Sequence, residues 1–385
     1  MAKTPTVAIS ASVLQWAIER SGRAHTIKQK FPKLSEWLKG ESRPTLRQLE
    51  NLAKVTYTPI GYFFLTEPPE EPLPIPFFRT DTKQQMRQFS SELTETIQTM
   101  KQRQEWMREY LIEKGHDPLP FVNSANLADD PIIVAKNIRN TLELKEGWAS
   151  SQPNWTEALR KLQIHMENIG IIVVVNSIVG NNTHRKLNPA EFRGFVLVDE
   201  YAPFVFVNGA DGKAAQMFTL AHELAHIWFG VSAAFDLREL QPAKDKVELI
   251  CNMVAAEFLV SKREFNESWP EVSSDSEPFQ KLARRFKVSE LVIARRALDL
   301  EYITKREFIE FYNDYQTRER HKTQDSDGGN FYATQNLRIG RRFAEAIITA
   351  VREEKLLYRE AYQLTGLYGK TFEKYAERIG LGSLL

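Results

Sequence analysis

One short segment constrains the fold of this chain more than any other, the His-Glu-x-x-His sequence that begins at His222 and ends at His226. Residues four positions apart lie about one turn apart on an α-helix, so both imidazoles share a face and can bind one metal ion. Glu223 would lie beside that metal, where it could take a proton from a metal-bound water and pass it to a leaving amine. The spacing therefore predicts a zinc-dependent peptidase helix.

The residues around this motif, from Phe218 to Phe229, are almost all apolar. A helix that is apolar on all sides is buried in a core. Two histidines and a glutamate in such a helix are costly unless they are paired or bound to a metal. The context therefore favours a metal site over a chance occurrence of the motif.

A catalytic zinc site of this kind needs a third protein ligand and leaves its fourth position to water. The helix predicted over residues 244–260 offers Glu248 and Glu257, which are nine residues apart and therefore lie on opposite faces. Asn252 follows Glu248 by four residues on the same face, where it could orient a ligating imidazole. This favours Glu248, with Glu257 as the alternative. Cys251 is on the same helix, but a lone cysteine usually packs as a small buried hydrophobe.

The stretch from Val205 to Val260 resembles the ImmA/IrrE family of metallo-endopeptidases. The resemblance rests on VFVNGADGKAAQMFTLAHELAHIWFG, followed by VELICNMVAAEFLV. It implies that Glu248 is the third zinc ligand. It also implies a narrow substrate class, since such peptidases cleave a specific repressor-type protein and thereby release stress-response or mobile-element genes.

The N-terminal segment 1–65 is predicted to form short helices punctuated by glycine and proline. Its sequence LSEWLKGESRPTLRQLENLAK resembles the late part of Xre-type helix-turn-helix domains. Ten basic against four acidic residues give the segment a net charge of +6, which favours nucleic acid as a partner. The candidate DNA or partner contacts are Lys33, Lys39, Arg43 and Arg47.

The same segment departs from the Xre pattern between Phe31 and Leu34, where only Pro32 and Lys33 remain. An Xre domain carries its turn and the start of its recognition helix at this point, and those first residues read the major groove. A degenerate helical module that docks to a partner or to the peptidase is therefore equally compatible. An intact repressor-like domain that the peptidase itself cleaves is less favoured.

Hydrophobic periodicity predicts a mostly helical α+β fold, with helical N- and C-terminal modules on either side of a small sheet. A helix, this small sheet and the His-Glu-x-x-His helix that begins near Gly212 together resemble a zincin-like core. Strands are predicted at Ile171 to Val175, Phe192 to Val198 and Phe204 to Val207, and either of the last two could be the edge that binds an extended substrate. The predicted parts are 1–65 (Xre-like module), 66–80 (proline-rich linker), 81–150 (helical connector), 151–270 (zincin-like metallopeptidase domain) and 271–385 (C-terminal helical region).

Several features bound the class of protein. The net charge is +1, and there is neither an apolar run of membrane-spanning length nor an N-terminal signal segment, so a cytoplasmic protein without membrane contact is expected. The single cysteine excludes an internal disulfide framework. His184 could stabilise an oxyanion, but a solvated loop histidine is the favoured interpretation. The segment KLARRFKVSELVIARRALDLEYI has the spacing of a helix-turn-helix and a basic face. This face could be a second contact for nucleic acid or protein, and an ordinary solvated surface explains it equally well.

Two hypotheses from different classes remain. The first is a zinc-dependent, site-specific endopeptidase with an Xre-like module for DNA or partner docking. The second is a DNA-binding transcription regulator or antitoxin-type protein whose metallopeptidase domain acts as a sensor or is inactive. Zinc is preferred for two histidines and a carboxylate, although manganese and iron use similar ligands. The sequence leaves the oligomeric state open.

Overall fold

A computed structural model of the chain describes residues 5–70, 77–78, 89–235, 246–320 and 331–381. They form two compact units. The first comprises the described residues up to Gln98 apart from 77–78, and the second comprises 77–78 and the residues from Thr99 onward. The predicted fold class is confirmed, because the structure is mostly helical with a small sheet. No helix in the described ranges combines the length and the apolar character needed to cross a membrane.

Short helices pack around a small apolar core in the first unit. Helix α3 spans only six residues and turns Leu34 and Trp37 into that core, while Gly40 ends it in the left-handed conformation at φ 73°. Thr45 and Gln48 form a capping box that begins the next helix. The helices are α1 (Ala11–Arg20), α2 (Ala24–Lys30), α3 (Leu34–Lys39) and α4 (Leu46–Thr56), followed by a 3-10 turn (Ile60–Phe64).

The remaining helices begin with the long α5 (Ser91–Glu113). The sequence predicted that this helix begins at residue 82, but residues 82–88 lie outside the described residues. Its successors up to the metal-binding region are α6 (Pro131–Thr141), α7 (Trp155–Asn168), α8 (Lys213–Phe229) and α9 (Lys246–Leu259). The later helices are α10 (Lys262–Val272), α11 (Pro278–Phe286), α12 (Glu290–Asp299), α13 (Lys305–Arg320), α14 (Phe331–Ile339), α15 (Arg341–Arg352), α16 (Tyr358–Thr365) and α17 (Lys370–Ala376), with a π-helical turn (Glu377–Leu381) after them.

A mixed five-stranded sheet lies beside α8, in the order β1-β7-β5-β6-β2. Strands β2 and β6 run parallel with Ile172 opposite Phe204, and β5 pairs antiparallel with both β6 and β7. Every residue of β2 and β6 is buried, which explains their continuous apolar sequences. The strands are β1 (Phe77–Phe78), β2 (Ile172–Asn176), β5 (Gly194–Leu197), β6 (Phe204–Asn208) and β7 (Ala233–Phe235), and β3 (Ile178–Val179) with β4 (Asn182–Lys186) forms a separate hairpin.

The predicted substrate-binding edge is wrong for both candidate strands. Strand β6 lies between β5 and β2, and β5 lies between β7 and β6, so both have their backbone groups paired on two sides. The outer positions belong to β1 and β2. Strands of two or three residues such as β1 and β7 are too short to show a period-two pattern, which is why the sequence did not reveal them.

Helix α8 is the centre of the main core. It packs on α6, α7 and α9 and on strands β5 and β6. Its apolar residues, including Leu220, Leu224 and Trp228, join one continuous cluster with Val205 of β6 and Val254 of α9. This contact on all sides explains why the helix is apolar around its whole circumference.

Glu167, near the end of α7, faces the beginning of α15. Its Oε1 accepts a hydrogen bond from the backbone N–H of Arg342 at 3.4 Å. Burial raises the pKa of Glu167 to about 7, although the backbone N–H groups of Arg342 and Arg341 oppose the shift.

This raised pKa predicts a pH-dependent stability. Because the carboxyl ionises at about pH 4.5 in the unfolded chain and at about 7 in the folded chain, stability falls as the pH rises between those values. Glu167→Gln should therefore raise the free energy of unfolding by about 1–3 kcal/mol at pH 8 and by much less at pH 5. Urea unfolding at both pH values measures this, and an equal change at both would show that ionisation of Glu167 does not matter.

Candidate metal centre

Helix α8 presents the His-Glu-x-x-His residues in the interior of the second unit. It begins after Gly212 and ends at Gly230, whose left-handed φ of 71° costs little in a residue without a side chain. All residues of the helix from Gln216 onward are buried, and His222, Glu223 and His226 have no solvent exposure. The local sequence therefore places three ionisable side chains in a core, where they need partners.

The side chains of His222, His226 and Glu248 converge on one point. The two Nε2 atoms are 3.0 Å apart, and each lies 3.2 Å from a carboxylate oxygen of Glu248. A tetrahedral metal with ligand bonds of about 2.0–2.1 Å holds its ligand atoms roughly 3.3 Å from one another. The two Nε2 atoms and the carboxylate of Glu248, which faces His222 with Oε2 and His226 with Oε1, therefore have the spacing of three protein ligands around a single metal ion.

The protonation states of these residues suit metal binding. Burial lowers the pKa of His222, which favours the neutral imidazole. Burial alone would raise the pKa of Glu248, but the two histidines outweigh it and hold that pKa at about 2. A neutral imidazole and an ionised carboxylate are the forms that ligate metals.

Asn252 lies beside the first histidine. Its Oδ1 is 3.1 Å from Nδ1 of His222, where it can accept a hydrogen bond from Nδ1–H. That bond selects the tautomer whose Nε2 lone pair points toward His226 and Glu248. The structure thus brings Asn252 to the position that helical spacing from Glu248 predicted.

Glu223 is the next residue after the first histidine and is completely buried. Neither of its carboxylate oxygens has a hydrogen-bond partner among the residues that the structure describes. Burial, and secondarily the charge of Glu248, raises its pKa well above the ordinary value. A buried carboxylate without a protein partner is available to a ligand that enters the site.

Glu257, the alternative third ligand, faces away from the histidines. Its carboxylate forms a buried ion pair with Arg296 and accepts the backbone N–H of Lys262 at 3.1 Å. Its backbone carbonyl accepts a hydrogen bond from Nη1 of Arg139 at 2.8 Å. The structure therefore brings Glu248, and not Glu257, to the two histidines.

The first residue of β5 approaches the site more closely than the sequence indicated. A Cβ atom built on Gly194 would lie 2.5 Å from Cγ2 of Thr219, 2.8 Å from the carbonyl oxygen of Phe206 and 3.3 Å from Oε1 of Glu223. Only the absence of a side chain lets β5 pass this close to α8. A glycine at the start of an apolar strand was the available signal, but it does not by itself reveal what the strand approaches.

Gly194→Ala is therefore expected to push β5 and α8 apart. The added methyl group meets a side chain and a backbone carbonyl that are both fixed by packing, so we expect a loss of about 1–3 kcal/mol in the free energy of unfolding. Urea unfolding measures the loss. Gly61→Ala is the matched control, because a Cβ there meets nothing within 4 Å and Gly61 does not cap an α-helix. Equal stability of the two variants would contradict the close approach.

The other candidate residues lie apart from this cluster. His184 is exposed on β4, and its backbone N–H donates to Oδ1 of Asn182. Cys251 is buried and is not among the three converging side chains. The four basic candidates of the first unit, Lys33, Lys39, Arg43 and Arg47, are all exposed.

Most cations of α11 and α12 serve the protein's own structure. Lys281 pairs with Asp275, Arg285 with Glu271 and Arg295 with Asp299, while Arg296 holds the buried Glu257. Nζ of Lys287 donates to the backbone carbonyl of Arg284 at the end of its own helix. These pairings favour the interpretation of this segment as an ordinary protein surface.

Comparison with known families agrees with this geometry. Residues 339–378 match a domain of unknown function, DUF8813. No curated protein matches the chain. Residues 166–298 match the family model of the IrrE N-terminal-like domain, a peptidase family, and this range contains all of α8 and α9. The match supports the ImmA/IrrE resemblance and, with the buried cluster of His222, His226 and Glu248, a metallopeptidase-type function that uses a metal ion.

Proposed function

We propose that the protein is a zinc-dependent endopeptidase that cleaves a regulatory protein of the repressor type. The observation that carries the proposal is the convergence of His222, His226 and Glu248 to within 3.0–3.2 Å next to the buried carboxylate of Glu223. Two imidazoles and one carboxylate at tetrahedral spacing suit zinc. The repressor-type substrate is what the ImmA/IrrE resemblance implies.

In this proposal, the chain's own residues divide the work. His222, His226 and Glu248 would hold the ion, and Asn252 would fix the tautomer of His222. Zinc, when bound, supplies a Lewis acid that polarises the scissile carbonyl and acidifies a water molecule. Glu223 would accept a proton from the attacking water and donate it to the leaving amine nitrogen as the peptide C–N bond breaks.

The experiment that tests this function compares cells that produce the wild type with cells that produce Glu223→Gln. Mass spectrometry of protein N-termini should reveal a new terminus in a helix-turn-helix repressor only with the wild type. If no terminus depends on Glu223, the peptidase proposal fails and the regulator hypothesis takes its place.

The first unit supports docking to DNA or to a partner protein. Lys33, Lys39, Arg43 and Arg47 are exposed, and Lys39 lies 4.0 Å from the carboxylate of Glu41. Against base readout, α3 has only six residues and buries two of them. The salt dependence of DNA binding distinguishes DNA from a protein partner. Each phosphate contact that a variant loses makes the negative slope of log K against log salt less steep by about 1. An unchanged slope in Arg43→Ala/Arg47→Ala would favour a protein partner.

A further inference from the structure

A groove lies at the far end of α9 from the candidate metal centre, between that helix, α6 and the beginning of α10. Its volume is about 950 Å³, within the range of small-molecule sites. Its wall combines apolar side chains such as Leu144 with the amides of Asn140 and Asn266 and with several charged groups. Nothing in the proposed peptidase chemistry uses this groove.

Arg139 is the buried basic residue of the groove, with 7 % of its surface exposed. Its Nη1 donates to the carbonyl oxygens of Glu257 at 2.8 Å and of Phe258 at 3.3 Å. Within the described part of the chain, Nε and Nη2 have no acceptor and the guanidinium forms no ion pair. A guanidinium carries five N–H donors, so three remain for a ligand. Their planar arrangement matches the oxygens of a phosphate or carboxylate.

The charges around Arg139 favour a dianion. The acids Glu146 and Glu257 are already paired with Arg263 and Arg296. The three lysines of the wall are exposed and form no ion pair with a described residue, and the one remaining carboxylate is Glu143. These lysines are Lys136, Lys145 and Lys262. With Arg139 they place four cations against Glu143 and against Glu264, whose charge also acts on Arg139. The excess of two positive charges is more than a single carboxylate ligand would neutralise.

We propose that this groove binds the phosphoryl group of a small molecule, held by the guanidinium of Arg139 and by the lysines of its wall. Apolar surface beside the cations leaves room for an organic part of the same ligand. The site is separate from the metal centre, because Glu257 at this end of α9 is nine residues from Glu248.

The test titrates full-length protein with inorganic phosphate, adenosine monophosphate and acetate in low-salt buffer, by calorimetry. We expect saturable binding of phosphate or of the nucleotide, and weaker binding of acetate. If adenosine monophosphate binds at least about tenfold more tightly than phosphate, the ligand class is a phosphate ester. If the two affinities are equal, the ligand is the free anion. A dissociation constant above about 1 mM for both phosphate and the nucleotide would overturn the proposal, and so would an affinity for acetate equal to that for phosphate.

Two double variants and one single variant locate the binding. Lys136→Ala/Lys145→Ala should weaken it by about tenfold, whereas Lys305→Ala/Lys370→Ala, with the same change of net charge at exposed sites elsewhere, should change it by less than about twofold. Arg139→Lys, which keeps the charge but loses the planar fork, should also weaken binding while the protein stays folded. Equal affinities of the two double variants would show that the groove is not the site, whatever the outcome for Arg139.

Discussion

Glu223→Gln is expected to remove peptide hydrolysis while the fold and the metal site remain. The amide has nearly the shape of the carboxylate but cannot accept the proton of the attacking water, so kcat should fall by about 10²–10⁴-fold. The measurement is the rate of cleavage of the protein substrate found by comparing N-termini, together with the metal content of both proteins. Glu310→Gln, on the exposed side of α13, is the matched control and should retain full activity.

The same variant gives a second readout that needs no substrate. Burial raises the pKa of Glu223, so in the metal-free protein its ionisation favours the unfolded chain as the pH rises above the value for an exposed glutamate. Glu223→Gln should therefore unfold at a higher urea concentration than the wild type at pH 8, with a smaller difference near pH 4. Full activity of the variant, or lower stability at pH 8, would contradict the role given to this buried carboxylate.

The sequence predicted the candidate metal centre better than it predicted the sheet. Helical periodicity is a strong signal, and it placed His222 and His226 on one face and put Glu248 with Asn252 on another helix, as the structure has them. Glu248 was preferred over Glu257 only weakly by periodicity, because either carboxylate could have faced the histidines. What settles their positions is the partner Arg296, 39 residues further along the chain, which no local pattern identifies.

The sheet was harder because its order depends on contacts between distant segments. Strands β5 and β6 read correctly as apolar strands, yet their places within the sheet follow from β7 and from Phe77–Phe78, which have almost no pattern of their own. The hairpin of β3 and β4 was missed because Asn182–Lys186 is polar and reads as a loop. The role of Gly194 was missed for a different reason. The close approach of β5 to α8 follows from packing between distant segments, which the local sequence does not reveal.

Glu248→Ala and Glu257→Ala should separate metal binding from folding. Glu248→Ala removes one of three converging ligands, and we expect the metal content to fall from about one ion per chain to nearly none, since even the loss of a residue that only orients a ligand costs 10–100-fold in affinity. Asn252→Ala should show that smaller, orienting effect. Elemental analysis after dialysis against a weak chelator measures all three variants.

Glu257→Ala should behave in the opposite way. It leaves Arg296, of which 8 % is exposed, as a buried charge without its carboxylate, and breaking such a pair costs about 3–5 kcal/mol. The folded variant should still bind one metal ion, and urea unfolding of the metal-free proteins should show the loss. If it does not fold, Glu257→Gln, which keeps an acceptor for Arg296, gives the same comparison. Only one of these carboxylates can face the histidines, because the other neutralises Arg296. If the Glu257 variants lost the metal and Glu248→Ala kept it, Glu257 would be the metal ligand and Glu248 would not.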